Sequence, residues 1–499
     1  MLLNINDYVS RLFCLLLLCS LNLGCKKDFL EITPKGVLLA KTTYDYEMLL
    51  KNKQKINTIG GLSYVPMSDE VAGYTPYFVE GMLGGLAPFD TRSFKWEADL
   101  YLPTDAAGDY KMLSLTTYIY NKVINEVLDS EEGSQQQKQQ LRAEALANRA
   151  WTYFMLTNLY GKPYHPSTAA TDLSVPLITK ADVSQTQFKR ATVQEVYNQI
   201  ITDLNEAIAY LPAEVKDRAR ISGPAAVALL GKVYVHMGKY KEALPLLSET
   251  ITNLNKALIP LGLYDFKKET EFGGIFTTVD LYGRIRFQTE QDREVLYLKT
   301  MNNHYVLIGS GLVISPEAMA LFKPGDLRLK FMSNSPLMQT DPYPNGMHRV
   351  WGRAQLFFGN IQSACNIGVN VPDIYLLLAE CKARLGDTAG SLTDLLTLRR
   401  NRMPEQEALI PTALSTDKMA LTRFILDERI REYAMTGERW FDMRRLSVDP
   451  DFKATVGTTH KIYDKIGQVT ETYTLTPERL TLRFPTYIIS ANPGMPQNP

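Results

Sequence analysis

Net charge, cysteine pairs and long apolar runs are all scarce in this sequence, and each scarcity removes a class of function. Lysine plus arginine number 54 and aspartate plus glutamate number 54 over 499 residues. With no net charge there is no broad positive field to hold a polyanion, so nucleic-acid binding drops out. The five cysteines stand at 14, 19, 25, 365 and 381, and Cys365 and Cys381 alone make no disulfide framework. Cys381 lies inside the helical run YLLLAECKARLG and reads as a small core residue. The five histidines (165, 236, 304, 348 and 460) include no pair three to five residues apart. That spacing excludes a sequential zinc-type site, and each histidine reads as surface or locally bonded. A G-x-S-x-G elbow, a phosphate loop and a sequential calcium loop are absent too. After residue 24 no apolar run approaches the roughly 20 residues that a helix needs to cross a bilayer.

The one apolar run that does exist, Leu12 to Gly24, holds 13 residues and stops at Cys25, Lys26 and Lys27. It is too short to span a bilayer. A short apolar core behind Arg11 has the layout of a secretory signal. The stretch LLLLCSLNLGCKKDF further resembles the lipobox of bacterial lipoproteins, although Asn22 and Leu23 stand where the usual pattern has leucine and a small residue. In such proteins cleavage precedes a cysteine that then takes acyl chains on its thiol and amino group. Two or more chains anchor stably where one does not. The expectation is therefore a signal over residues 1–24 and a body tethered to a membrane surface through Cys25. The alternative is a plain secretory signal with an incidental cysteine.

Helical periodicity organises much of the remainder. In TVQEVYNQIITDLNEAIAYLP, Thr192 and Glu195 form a capping box, and Val193, Val196, Ile200, Leu204 and Ile208 recur every three or four residues. In GPAAVALLGKVYVHMGKYKEALPLLSETI, the residues Leu230, Gly231, Tyr234, Gly238, Tyr240, Ala243 and Leu247 fall at tetratricopeptide spacing. Leu378, Ala379, Gly386 and Leu395 form a weaker copy, and QLRAEALANRAWTYFMLTNLYG reads as a further amphipathic helix. These hairpins are far apart, which predicts an α-helical body interrupted by large inserts rather than a solenoid. The inserts cover about residues 56–110 and 260–360 and are rich in Gly, Pro and aromatics. Long irregular segments of this kind are commonly functional. In the tail, KIYDKI and ETYTLT predict a strand pair, while FPTYIISANPGMPQNP is too rich in Pro and Asn to predict helix.

The stretch with most chemistry is LDERIREYAMTGERWFDMRRL, residues 426–446. Its spacing favours structure over catalysis. On a helix Asp427 and Arg431 lie four apart, and Glu428 with Arg431 and Arg429 with Glu432 lie three apart, so the charges can satisfy one another on the helix surface. Leu426, Ile430 and Tyr433 predict a buried stripe, Gly437 a helix end, and Trp440 and Phe441 a return to the core.

The same stretch resembles the hallmark E-R-x-x-E-x-x-x-x-G-x-R-x-x-D-x-x-R of the SusD/RagB family of surface lipoproteins, here Glu428, Arg429, Glu432, Gly437, Arg439, Asp442 and Arg445. Other pieces follow in family order: Cys25 with KKDFLEITP, RAEALANRAWTYFMLTNLYGKPY, the 192–212 helix, the repeat, VPDIYLLLAECKARLGD and the terminal NPGMPQNP. The resemblance implies a mainly α single domain on four tetratricopeptide-like helix pairs, with long loops and short β elements forming the ligand face. Its parts would be an N-terminal region over 25–265, a loop-rich ligand-facing insert over 266–360 and a C-terminal region over 361–499. It further implies an outer-membrane, lipid-anchored, outward-facing protein that is not an enzyme. Such a protein captures glycans, or in some branches peptides, for a SusC-like TonB-dependent outer-membrane transporter. No cofactor is implied, and whether structural calcium assists is left open. A lipoprotein glycosidase, whose paired carboxylates would be distant in sequence, and a pure interaction scaffold are the rival readings.

Sugar rings offer an apolar C–H face and a rim of hydroxyls, so a glycan site needs an exposed aromatic with polar groups beside it. From the inserts, Tyr77, Trp96, Tyr101, Tyr343 and Trp351 are candidate stacking residues, and Asp69, Glu70, Asn345 and Arg353 are polar candidates. Trp151 and Trp440 lie in helix-core patterns and are expected to serve stability.

Overall fold

A computed structural model describes residues 40–59, 64–78, 88–103, 105, 107–277, 291–302, 311–336, 341–350, 356–358 and 362–499. The signal and Cys25 lie outside the described residues. The longer helices are α1 (Gly108–Glu126), α2 (Gln135–Tyr160), α3 (Val193–Ile208), α4 (Gly223–His236), α5 (Tyr240–Asn253), α6 (Val371–Leu385), α7 (Thr388–Arg400), α8 (Lys418–Tyr433) and α9 (Glu438–Ser447). The start of α3 is the capping box that its sequence predicts. The Glu195 N–H donates to Thr192 Oγ1 at 3.2 Å, and Glu195 Oε2 accepts from the Thr192 N–H at 2.7 Å. Val193, Val196, Ile200 and Leu204 are buried behind it.

Helices α4 and α5 form the tetratricopeptide-like hairpin. A Cβ on Gly231 would sit 2.8 Å from Leu247 Cδ2, so the close approach of the two helices depends on the missing side chain. Gly238, with φ of +71°, makes the turn between them. Gly386, in the left-handed region, plays the same part between α6 and α7. Packing follows chain order: α1 on α2, α2 on α3, α3 on α4, α4 on α5, α5 on α6, and α6 on both α7 and α8. The result is a mainly α fold built on tetratricopeptide-like helix pairs, with Trp151, Cys381 and Trp440 all in its interior.

Besides a strand pair between α2 and α3 (Leu173–Pro176 with Arg190–Thr192), the β structure comes from the inserts, the segment just after the second, and the tail. One sheet joins β1 (Thr58–Ile59), β3 (Thr300–Asn302), β6 (Gln362–Asn366) and β5 (Leu356–Phe358), in that spatial order. The other runs β8 (Val469–Thr474), β7 (Thr459–Tyr463), β2 (Val71–Tyr74), β4 (Leu312–Ile314). The predicted hairpin is thus β7–β8, with Lys461 opposite Thr472. It pairs in parallel with the first insert, Ile462 opposite Gly73, and through β2 it reaches the second insert, Ala72 opposite Val313. Segments nearly 400 residues apart in sequence therefore share one sheet, as the 395-residue separation of the Thr75 and Thr470 hydroxyl contact shows.

Three local expectations are corrected. The proline-rich tail does contain a short helix, Thr486–Ala491, which starts directly after Pro485, where the fixed φ of proline suits a helix entry. His236 and His460 are buried rather than at the surface. The His460 ring is stacked between Phe94 and Trp96, and its nitrogens face the Phe94 and Ser68 carbonyls at 2.7 and 2.9 Å.

Candidate functional site

The charge-rich stretch at 426–446 is a buried ion-pair lattice. Helix α8 ends at Tyr433, four residues before Gly437, which sits at φ +91° as the cap of α9. A Cβ on Gly437 would approach Tyr64 to 2.8 Å, so both the backbone angle and the contact call for glycine. Of the pairings expected on the helix surface, Glu428 with Arg431 is found, whereas Arg429 finds its partners across elements. Arg429 donates to Asp442 of α9 and to Asp373 of α6, each at 2.7 Å, rather than to Glu432. Arg431 turns to Glu428 at 2.6 Å and to the Leu321 carbonyl. Glu432 accepts from Arg402 and Arg328, and Arg445 grips Glu380 with two bonds of 2.8 Å.

The physical reason is burial. Charges taken out of water need complete compensation, and one helix face cannot supply enough partners. Glu428 shows this best, accepting from Arg328, Arg399 and Arg431. Burial alone would raise its carboxyl, yet Arg328, Arg431 and Arg399 together hold it well below the ordinary range. A carboxylate held this far below its ordinary range by three guanidiniums is a poor proton acceptor for acid–base work. The lattice joins α6, α8, α9 and the preceding loops.

One face of the lattice backs a half-open cavity of about 110 Å³ at the C-terminal end of α8. Apolar Phe331, Met332, Val350 and Pro372 line it together with polar Asn366, Asn370 and Thr436 and charged Asp292, Glu294, Arg328, Arg431 and Glu432. Phe331 is held edge-on by Phe266 and Phe276, with ring centroids 5.4 and 5.3 Å away. Asn370 and Asn366 bond to each other, Asn366 Nδ2 donating to Asn370 Oδ1 at 2.8 Å. Thr436 Oγ1 donates to the Tyr433 carbonyl at 2.7 Å. Apolar walls with a few converging amides and hydroxyls are the ordinary composition of a small-molecule site. Among the described residues, no group of His, Cys, Asp or Glu is arranged to hold a metal ion, and no helix is long and apolar enough to cross a membrane.

The residues expected from the sequence to contact ligand mostly lie elsewhere. Trp96 is 4 % exposed; its indole N–H donates to the Met67 carbonyl at 2.9 Å and its ring stacks on His460. Tyr101 is buried with its hydroxyl donating to Asp109 at 2.6 Å. Tyr343 is buried edge-on against Tyr74, 5.0 Å between centroids. All three are packing residues, because the inserts fold onto the body and the tail instead of standing clear of them. Asp69 accepts a two-bond clamp from Arg439, at 2.6 and 2.7 Å, as well as the Gly457 N–H. Glu70 is buried, with Oε1 accepting from the Met435 N–H at 3.2 Å. Neither carboxylate is free for a ligand. Asn345 is exposed in the left-handed region and donates to the Gly467 carbonyl at 3.0 Å. The Tyr77 side chain, Trp351 and Arg353 lie outside the described residues.

None of the cavity residues was picked out from the sequence as a ligand contact. They come from six separate stretches, and each alone looks like ordinary packing or a helix cap. The one available signal was the turn between Tyr433 and Gly437 inside the charge-rich stretch.

Comparison with known proteins adds family and fold. A family model described as "Starch-binding associating with outer membrane" matches residues 28–235, and one described as "SusD family" matches residues 371–499. SusD-like protein P2 of Formosa agariphila is 24% identical over 353 residues, which cover 61% of this chain and 65% of that protein. Among solved structures, a putative sugar binding protein from Bacteroides vulgatus superposes with a TM-score of 0.68 at 20% identity, covering 93% of this chain and 99% of that one. A SusD superfamily protein from Bacteroides thetaiotaomicron gives 0.67 at 20% identity, over 92% and 100% of the two chains. A laminarin binding SusD-like protein gives 0.58 at 19% identity, over 92% and 98%. At these identities the structural likeness speaks for the fold.

Proposed function

Since this chain belongs to the SusD/RagB family, we propose that it is a cell-surface glycan-binding lipoprotein that captures oligosaccharide and passes it to a partner SusC-like TonB-dependent outer-membrane transporter. The observation that carries the reading is the half-open cavity, whose lining combines apolar side chains with amide and hydroxyl groups and paired charges, on a scaffold of this family. Such a cavity suits the two faces of a sugar ring. The saturated ion pairs of the 426–446 stretch support binding without turnover, because their carboxylates are committed to arginines. The anchor would be lipid on Cys25, holding the protein on the outer leaflet beside its transporter.

The test is a glycan and peptide array screen of the soluble form starting at Lys26, with hits followed by calorimetry and by assay for released products. Binding of one glycan class without products is the expected result. Released products would make the protein a hydrolase, and binding of peptides alone would move it to the peptide branch. Separately, Cys25→Ser should shift the protein from the membrane fraction to a soluble one, and affinity purification from membranes should bring down the transporter.

A further inference from the structure

Building on the glycan-binding reading, we propose that the cavity at the end of α8 seats a single uncharged sugar unit, with the rest of the glycan outside it. Size sets the first limit. A closed cavity of about 150 Å³ holds one benzene ring, and this one, at about 110 Å³, is smaller but open on one side. It has room for part of one ring and none for a chain.

The lining sets the second limit. Met332, Phe331 and Val350 offer a surface for ring C–H groups. On the same lining Asn370 uses its Nδ2 to donate to the Asn366 carbonyl at 3.2 Å, and an amide nitrogen carries a second N–H. Thr436, having spent its proton on the Tyr433 carbonyl, keeps acceptor capacity. The lining therefore combines a neutral donor and a neutral acceptor with apolar side chains, the groups that complement a hydroxyl-bearing ring.

Charge sets the third limit. The cations near the wall are already paired: Arg328 with Asp326, Glu428 and Glu432, Arg431 with Glu428, and Arg402 with Glu294 and Glu432. A uronate or sulfate entering the cavity would have to displace a bonded carboxylate to reach a guanidinium, and it would meet Glu432 and Asp292 on the lining. Recognition of an anionic sugar is built the opposite way, with an arginine held free for bidentate bonding.

Calorimetry on the soluble form from Lys26 tests this, using laminarihexaose, maltohexaose and mannohexaose as neutral probes and oligogalacturonate and oligoalginate as anionic ones. Met332→Trp fills the cavity from a partly exposed position, and Met332→Phe fills it less; thermal melts confirm that each variant is folded. The expected result is binding of a neutral hexasaccharide that weakens at least about tenfold in the filled variants, with no binding of the anionic probes. Unchanged neutral binding in both folded variants would overturn the location while leaving the glycan reading intact. Anionic binding that the filled variants abolish would overturn the neutrality. Failure of every glycan to bind, with or without capture of a peptide, would remove the glycan reading and this inference together.

Discussion

Glu70 makes the structure's most quantitative demand on experiment. Sequence patterning placed it among ligand contacts, whereas its carboxyl is buried with one oxygen accepting from the Met435 N–H. Burial, reinforced by the neighbouring Asp69 charge, pushes its pKa from 4.5 up to about 8. Between those two values the folded state holds a proton that the unfolded state has released. Stability is therefore greatest below the unfolded value and falls as pH rises through the window, by about 1.4 kcal/mol per pH unit. Across the full window this amounts to roughly 4 to 5 kcal/mol, a large part of the ordinary 5–15 kcal/mol of net stability. Glu70→Gln keeps an acceptor for Met435 and abolishes the titration. Equilibrium unfolding in guanidinium chloride should find the two proteins within about 1 kcal/mol at pH 5, and the variant more stable by roughly 4 kcal/mol at pH 8. A difference that is the same at both pH values would refute the reasoning, since the carboxyl would then be solvated or paired when folded. Glycan affinity should be unaffected throughout.

Lys299 should behave with the opposite slope. It is buried, donating to the Ile56 carbonyl at 2.6 Å, Asn148 Oδ1 at 2.9 Å and the Tyr120 hydroxyl at 3.2 Å, and desolvation lowers its pKa to about 7. The folded state binds fewer protons than the unfolded one from about pH 7 to 10.5, so the wild type gains stability as pH rises there. Lys299→Met should lose that gain, about 3 kcal/mol between pH 7 and 9.5 when the two proteins are compared by chemical unfolding; parallel profiles would show that Lys299 is hydrated. Glu428→Gln leaves three buried guanidiniums short of a counter-charge and should cost about 3–5 kcal/mol; a variant of wild-type stability that has lost ligand binding would instead give the residue a direct role. Trp440→Ala should cost a similar 3–5 kcal/mol without altering affinity in the protein that remains folded, as read by a melt and a titration on one sample. Gly231→Val should lower the unfolding midpoint by the equivalent of about 1–3 kcal/mol through overpacking against Leu247, and an unchanged midpoint would mean that α4 and α5 can separate freely.

What was legible in the sequence was whatever one segment determines by itself. The Thr192–Glu195 cap, the glycines at 231, 238 and 386, the β7–β8 hairpin and the core places of Trp151 and Cys381 each follow from local spacing, and each is found. The hallmark motif was legible as a motif, and its structural character and the Glu428–Arg431 pair were foreseen, but its partners on other elements were not. Arg429 bonds Asp373, 56 residues away, and Arg445 bonds Glu380, 65 residues away. No helical spacing rule reaches that far.

The candidate site failed to appear for the same reason, taken further. An aromatic in a glycine-rich insert looks exposed because the insert looks like a loop, and that inference holds only if nothing packs over it. Here β2 and β4 from the two inserts join β7 and β8 from the tail in one sheet, and the aromatics between them become core. Trp96 then serves a buried histidine, and Tyr343 serves Tyr74. The candidate cavity lies elsewhere, at the seam where the strand pair that sets Met332 opposite Val350, the aromatic cluster around Phe331 and residues 365–372 meet the end of α8. A seam of that kind is made of residues that are individually unremarkable: a methionine, a threonine after a helix, an asparagine before one. Its chemistry comes from what lies behind them. Because the arginines there are paired with carboxylates, the lattice that stabilises α6, α8 and α9 leaves the cavity with no unpaired arginine among the described residues that line it. The same ion pairs that make the family motif recognisable therefore restrict what this cavity can select, and substitutions that unpair Arg328 or Arg431 should change ligand charge preference as well as stability.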